Sequence, residues 1–286
     1  MHVQVLCDSA SDLNQEMFEQ FSVQSLPLKV IINEEEYEDG IDIAPKEVYD
    51  RMRNGEAPKT AQVSPQAFRE TFATLAEKGQ PFIYFAFSSE LSGTYQTAKM
   101  IEQEVKEEYE DAQFDVIDTK AASLGYGLIV LRAAELAKEG ASYNEVLEIG
   151  QYHSTHMEHI FTVDDLEYLQ RGGRVSRTAA FVGGLLKIKP LLHMEEGKLI
   201  PLEKIRGSKK VLKRMLEVMD ERGADFQNQR MAISHGDDLE RAKQLAEMIK
   251  ETYGTKEIHI DYVGATIGAH AGPGTIALFF LNDTYK

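Results

Sequence analysis

The chain is poor in several things, and each scarcity closes off a class of protein. Only one of its 286 residues is cysteine, Cys7, so no disulfide can form within the chain and a disulfide-stapled secreted scaffold is excluded. That usage points to a reducing, cytoplasmic compartment. Basic residues are outnumbered, 31 Lys and Arg against 47 Asp and Glu, for a formal charge of -16. Broad binding to nucleic acid or to an acidic membrane needs dense positive charge and is not expected. No stretch approaches the ~18 consecutive apolar residues of a membrane span. The start, MHVQVLCDSASDL, lacks a basic segment followed by an apolar core, so no signal peptide is expected. There is no G-x-x-x-x-G-K-[ST] loop and no G-x-G-x-x-G after a strand, and GYG at 125–127 lacks the third glycine, so a bound nucleotide has no support. Internal repeats and low-complexity segments are absent.

What remains is an ordinary globular composition, 43% hydrophobic and 27% charged, long enough for one large domain or two ordinary ones. Val3–Cys7 reads as a short buried strand, with DSASDL starting a helix after it. Leu26–Ile32 is a second apolar run, and residues 33–66 read as irregular around one helix, Pro45–Arg53. A helix at Ala67–Lys78, a strand at Pro81–Phe87, a helix capped by Ser92, a strand at Phe114–Ile117 and a helix at Leu128–Lys138 follow. Strands alternating with helices mean a parallel sheet covered on both faces. The loops DSASD, SSELSGT and DTKAAS each follow a strand, so they gather at the carboxyl edge, where α/β sheets bind ligands. Beyond residue 160 the order changes to neighbouring strands at 185–194 and 199–204, helices at 208–221 and 238–253, and strands at 230–234, 257–264 and 275–281. The expectation is an α/β protein. It has an N-terminal three-layer α/β/α domain with a parallel sheet, residues 1–160, and a C-terminal α+β domain with a mixed sheet, residues 161–286.

Two stretches concentrate chemistry. FSSELSGTYQTA, Phe87–Ala98, crowds Ser88, Ser89, Ser92 and Thr94 where a strand gives way to a helix. One serine suffices for a cap, whereas several hydroxyls beside a helix N-terminus make a polar cup for a carboxylate or phosphate. GATIGAHAGPG, 264–274, reads as a glycine-rich loop around His270, an imidazole able to donate to a carboxylate or act as a base. Ser92 and His270 invite an esterase reading, but the G-x-S-x-G elbow is missing. His153, His156 and His159 share a helical spacing of three, without carboxylates or cysteines to complete a metal site, and read as surface histidines. Cations cluster in RGGRVSR (Arg171, Arg174, Arg177) and KIRGSKKVLKR (Arg206 and its lysine neighbours), as a docking face for an acidic partner or a hold for phosphate.

CDSASDL, KTAQVSP, FSSELSGTYQTA, DLEYLQRGGRVSR, KIRGSKK and GATIGAHAGPG stand in the order found in the DegV family of fatty-acid-binding proteins, also called FakB, which the chain resembles over almost its whole length. The resemblance implies a fold related to the dihydroxyacetone kinase substrate domain, with a long-chain fatty acid held between the domains. It implies that Thr60, Ser92, the Gly93 N–H and His270 hold the carboxylate, with Ser9, Ser89 and Ile267 as candidate pocket-lining residues. Arg171 and Arg206 match arginines tied to phosphoryl transfer or partner docking. No catalytic residue, metal or cofactor is implied. The partner is a dihydroxyacetone-kinase-like, ATP-dependent fatty acid kinase that makes acyl phosphate, with an acyltransferase downstream in phospholipid synthesis and transient contact with membrane. Cys7, where the family more often has Thr, and the looser IRGSKK depart from the pattern. From the residues alone, an esterase and a phosphosugar-binding module remain as alternatives.

Overall fold

The computed structural model describes residues 2–176 and 188–284; Arg177 and the first residues of the strand expected from Leu185 lie outside them. The chain builds a four-stranded parallel sheet from β1 (Gln4–Asp8), β2 (Gln24–Leu26), β6 (Phe82–Ala86) and β7 (Phe114–Asp118), in the order β2-β1-β6-β7. Every residue of β6 is buried, which is why its sequence shows no alternation. Phe82 and Tyr84 point to one face. There Phe72 of α3 (Pro65–Glu77) meets Phe82 at a ring-centroid distance of 5.2 Å, and Phe68 meets Tyr84 at 5.2 Å. Phe85 points to the other face, against Gly150 of α6 (Tyr143–His156), whose lack of a Cβ makes room for the ring. Helices α3 and α4 (Thr94–Glu108) thus cover one face, and α5 (Ser123–Lys138) with α6 the other.

The second sheet is mixed, in the order β10-β9-β8-β13-β11-β12, from β8 (Met157–Thr162), β9 (Ile188–Glu195), β10 (Lys198–Arg206), β11 (Arg230–His235), β12 (Glu257–Tyr262) and β13 (Ile276–Leu281). Only the β11–β12 pair is parallel. Helices α8 (Ser208–Arg222) and α9 (Leu239–Tyr253) close one face with Val211, Met215, Leu245 and Ile249. The opposite face is taken by α5, which also packs on β1. This shared position explains why α5 is buried nearly all round, and why it carries glycines. A Cβ on Gly125 would lie 2.5 Å from His159 Nε2, and one on Gly127 would lie 2.6 Å from the Ser11 carbonyl. GYG therefore belongs to the helix, which begins five residues before the expected Leu128. The glycines serve close packing rather than a turn.

The region 33–66 is more ordered than its polarity suggests. A three-stranded antiparallel sheet of β3 (Lys29–Ile32), β4 (Glu35–Glu38) and β5 (Lys59–Ala61) shares a core with α2 (Pro45–Arg53), which matches its expected bounds. GATIGAHA is likewise not a loop but helix α10 (Ala265–Ala271). Its small residues let it press against α2, where Tyr49 lies at the bare Gly268 and donates to Val263 O at 2.8 Å. After β1, DSASDL makes one 3-10 turn at Ser9–Ser11, and α1 (Gln15–Phe21) starts later, capped by Asn14.

Candidate functional site

The loops after β1, β6 and β7 do meet at the carboxyl edge, and carboxylates tie them together. Asp8 Oδ2 accepts from Phe87 N at 3.0 Å and from Tyr84 OH at 2.7 Å, joining the first loop to the second. Burial raises the Asp8 carboxyl to about 6 against the opposing pull of those donors. Asp118 Oδ1 accepts from Ser89 N at 3.1 Å, joining the second to the third. This scaffolding consumes most of the hydroxyls. Ser89 Oγ accepts from Lys120 at 2.7 Å, Ser88 Oγ donates to Gly197 O at 2.8 Å, and Ser9 Oγ donates to Asp39 at 3.1 Å while accepting from Leu28 N. Ser9 and Ser89 accordingly stay outside the cavity wall, whereas Ile267 is part of it.

A cavity of about 390 Å³ opens between the two sheets, a volume typical of small-molecule sites. Its walls are largely apolar, with Phe87, Leu91, Phe161, Leu169, Met194 and Phe279 among them. Thr60, Ser92, Gly93 and His270 all line it. Thr60 comes from β5 and His270 from α10, 210 residues apart, and Thr60 Oγ1 stands 2.7 Å from His270 Nε2. Ser92 Oγ lies 2.9 Å from Thr94 Oγ1 and accepts from Thr94 N at 3.2 Å. Ser92, the expected cap, sits one residue ahead of the actual cap position. Gly93 holds that position, and apart from the Ser92 bond to Thr94 N no side chain caps α4. The first turn of α4 keeps free N–H groups beside the cavity, and its dipole favours an anion.

Gln62, which the sequence reading passed over, and Arg174 and His159, which it placed in a basic cluster and among surface histidines, belong to the site as well. Gln62, in KTAQ, lines the cavity and bonds Thr97 Oγ1 at 2.6 Å; a Cβ on Gly93 would collide with its amide oxygen, so glycine is what lets the Gln62 arm cross the helix end. Arg174 lines the cavity while its guanidinium donates to Leu91 O at 3.1 Å and to Gly172 O. Gly172 has no Cβ to strike the His270 ring, and Gly173 turns the chain at φ 73°. These contacts are what the spelling RGGR encodes. His159, expected at the surface with His153 and His156, is buried against the cavity, and His153 is buried too. Nε2 of His159 accepts from Ala122 N at 3.2 Å, so its proton resides on Nδ1, 3.1 Å from Met157 O. Burial lowers it to about 4, keeping it neutral. His156 stacks on Tyr152 at 4.0 Å. Among the described residues no His, Cys, Asp and Glu group could hold a metal ion.

His270 is neutral as well, lowered to about 4 by loss of water and then by the charges of Arg174 and Arg171. Arg171, the last residue of α7 (Glu167–Arg171), faces solvent, its guanidinium 5.3 Å from the centre of the Tyr168 ring. Arg206, the last residue of β10, is also exposed, and neither residue lines the cavity.

The fold and site together define an α/β protein with a parallel sheet, a mixed sheet and a small antiparallel sheet, and with a largely apolar cavity that has a polar, anion-favouring end. A profile of the family described as "Uncharacterised protein, DegV family COG1307" matches residues 2–283. The chain belongs to the DegV family. A DegV domain-containing protein of Clostridium perfringens is 42% identical over 283 residues, covering 98% of this chain and 97% of that one. Among solved structures, a fatty-acid-binding DegV family protein of Thermus thermophilus superposes with a TM-score of 0.89 at 33% identity, covering 98% of this chain and 99% of that one. DegV of Bacillus subtilis, described as a fatty acid binding protein, gives a TM-score of 0.85 at 32% identity, with 98% of each chain covered. A stearic-acid-binding protein of Eubacterium ventriosum gives 0.86 at 28% identity, with 97% of each covered. No helix among the described residues is long and apolar enough to cross a membrane.

Proposed function

We propose that the chain binds a long-chain fatty acid in this cavity, with the carboxylate at Thr60, Ser92, the Gly93 N–H and His270. The observation that carries the reading is an apolar cavity ending on a Thr60–His270 pair and the N-terminus of α4. Hydroxyl and amide donors suit a carboxylate. The tail supplies the affinity: at ~0.8 kcal/mol per methylene, a chain of about fifteen carbons is worth roughly 12 kcal/mol gross. Immobilising the flexible chain and the loss of free tumbling remove several kcal/mol of that, leaving tight binding. In this reading the unit up to residue 160 supplies the carboxylate loops, and residues 161–286 cover the acyl chain.

We further propose that the protein is a carrier, presenting the carboxylate to a separate ATP-dependent kinase of the dihydroxyacetone kinase type for acyl-phosphate formation in phospholipid synthesis. Two features support this. The pocket surrounds the carboxylate with neutral donors and, among the described residues, a single lining cation, Arg174, leaving the oxygens nucleophilic. Arg171 and Arg206 are exposed, as contact with a partner would require. The esterase reading is disfavoured because Ser92 bonds Thr94 while His270 bonds Thr60, so nucleophile and base are not paired. A phosphosugar module would need a polar pocket in place of these walls.

Mass spectrometry of an organic extract of the purified protein tests the reading. A stoichiometric fatty acid is expected. Protein that yields no lipid and fails to take up added fatty acid would overturn it.

A further inference from the structure

Helix α10 carries His270, yet little within α10 fixes where it stands. It has seven residues, ATIGAHA, and those it buries are Ala265, Thr266, Gly268, Ala269 and Ala271. A helix this short, with a glycine in its middle, is marginal alone. Small side chains let it lie close to α2, but they make few contacts each and set its register weakly. Its cap position is Gly264, which has no side chain to take the first free N–H groups.

The missing cap is supplied from 227 residues away, where Asp39 Oδ2 accepts from Thr266 N at 3.2 Å. The same oxygen accepts from Ser9 Oγ at 3.1 Å. Asp39 is only 5% exposed, and its backbone is fixed as well. Its N–H donates to Leu28 O at 2.9 Å, and Gly40 turns the chain after it at φ 76°. Thr60 hangs from the same small sheet: β3 pairs Val30 with Thr60 on one side and Lys29 with Glu38, the neighbour of Asp39, on the other. His270 follows Thr266 by one turn of α10 and returns to Thr60 at 2.7 Å. These bonds close a ring, from the sheet to Asp39, from Asp39 to α10, and from His270 back to the sheet. Without the Asp39 oxygen, the Thr60–His270 distance would depend on the packing of alanines and glycines.

We propose that Asp39 is a positioning residue for carboxylate recognition, holding α10 where His270 and Thr60 meet the ligand head group together. The inference rests on the fatty-acid reading above and adds to it a residue that does not line the cavity. What Asp39 supplies is the place of an acceptor oxygen, since it acts on the ligand only through α10.

The test uses the delipidated full chain. Calorimetric titration compares a saturated long-chain fatty acid with the alcohol of the same tail, and NMR follows the ring nitrogens of His270. Asp39→Ala removes the oxygen; Asp39→Glu keeps the charge but moves the oxygen by one methylene. In both, the acid-to-alcohol affinity ratio is expected to fall roughly tenfold as a head-group bond is lost, and the His270 signals to shift. Asp39→Asn keeps an oxygen in place and is expected to hold the ratio within about threefold of wild type. In a Thr60→Val background, Asp39→Ala should lower the ratio little further, because both changes act through one pair. Equal weakening of acid and alcohol, a ratio unchanged in either Asp39→Ala or Asp39→Glu, or a ratio lost in Asp39→Asn overturns the proposal while leaving the fatty-acid reading intact. Should Asp39→Ala not fold, Asp39→Glu decides. Failure of wild type to bind the acid would remove the fatty-acid reading and the positioning role with it.

Discussion

Thr60→Val removes one oxygen from the centre of the candidate site and little else. Valine keeps the branched shape that suits β5, so the strand pairing with β3 should survive. Two bonds are lost. The first joins Thr60 Oγ1 to His270 Nε2 at 2.7 Å in the ligand-free protein, and its loss costs about 1 kcal/mol of stability. The second is the proposed bond from Thr60 to the ligand carboxylate. Hydrogen bonds to charged groups are worth about 1.5–3 kcal/mol, so affinity should fall by roughly ten- to a hundredfold. Calorimetric titration of delipidated protein measures this, with the matching long-chain alcohol as a control that has the same tail and no charge. The acid should weaken far more than the alcohol. An acid affinity within about threefold of wild type would refute the head-group assignment. So would equal weakening of acid and alcohol, because it would place Thr60 against the tail.

The histidines make a pH prediction. His159 falls from 6.5 to about 4 on folding, so the unfolded chain takes up a proton before the native one does as pH drops through that window. The stability advantage of wild type over His159→Gln should therefore shrink from pH 6.5 towards 4, measured by urea unfolding at several pH values; a constant difference would contradict the buried neutral tautomer. Gly125→Val would drive a side chain into His159 and Phe279, and should cost about 3 kcal/mol in the same assay despite valine's better helix propensity. A loss under about 0.5 kcal/mol would mean that α5 is not clamped between the sheets as described. Arg206→Glu should leave fatty-acid affinity unaltered and depress kinase-dependent acyl-phosphate formation; intact phosphorylation would sink the docking role.

The parts of the fold that were readable share one property: their signals are local. The uninterrupted apolar run at β6, the period of α8 and α9, and the Pro45 start of α2 each depend on neighbours a few residues away. The failures cluster at glycine. GYG and GATIGAHAG look like turns because glycine weakens a helix by itself, yet both are helical, since the space that a Cβ would fill is occupied by His159, Phe279 and Tyr49. The histidine run misled in the same way. Spacing says which residues share a face, not whether that face is covered, and β8 carries His159 into the interior under α5.

For the site, the sequence by itself determined which loops carry hydroxyls, that they follow strands of a parallel sheet, and which segments are rich in glycine and arginine. Turn chemistry and strand order are written in contiguous residues. Only the tertiary structure decided how those groups divide their work. It assigned Ser9, Ser88 and Ser89 to internal bonds and left Ser92 at the start of α4. It chose Arg174 over Arg171 for the cavity wall, and set Thr60 against His270 across 210 residues of chain. A hydroxyl or guanidinium is free to meet a ligand only after every nearer partner has been counted, and those partners are brought in by packing between elements far apart in sequence.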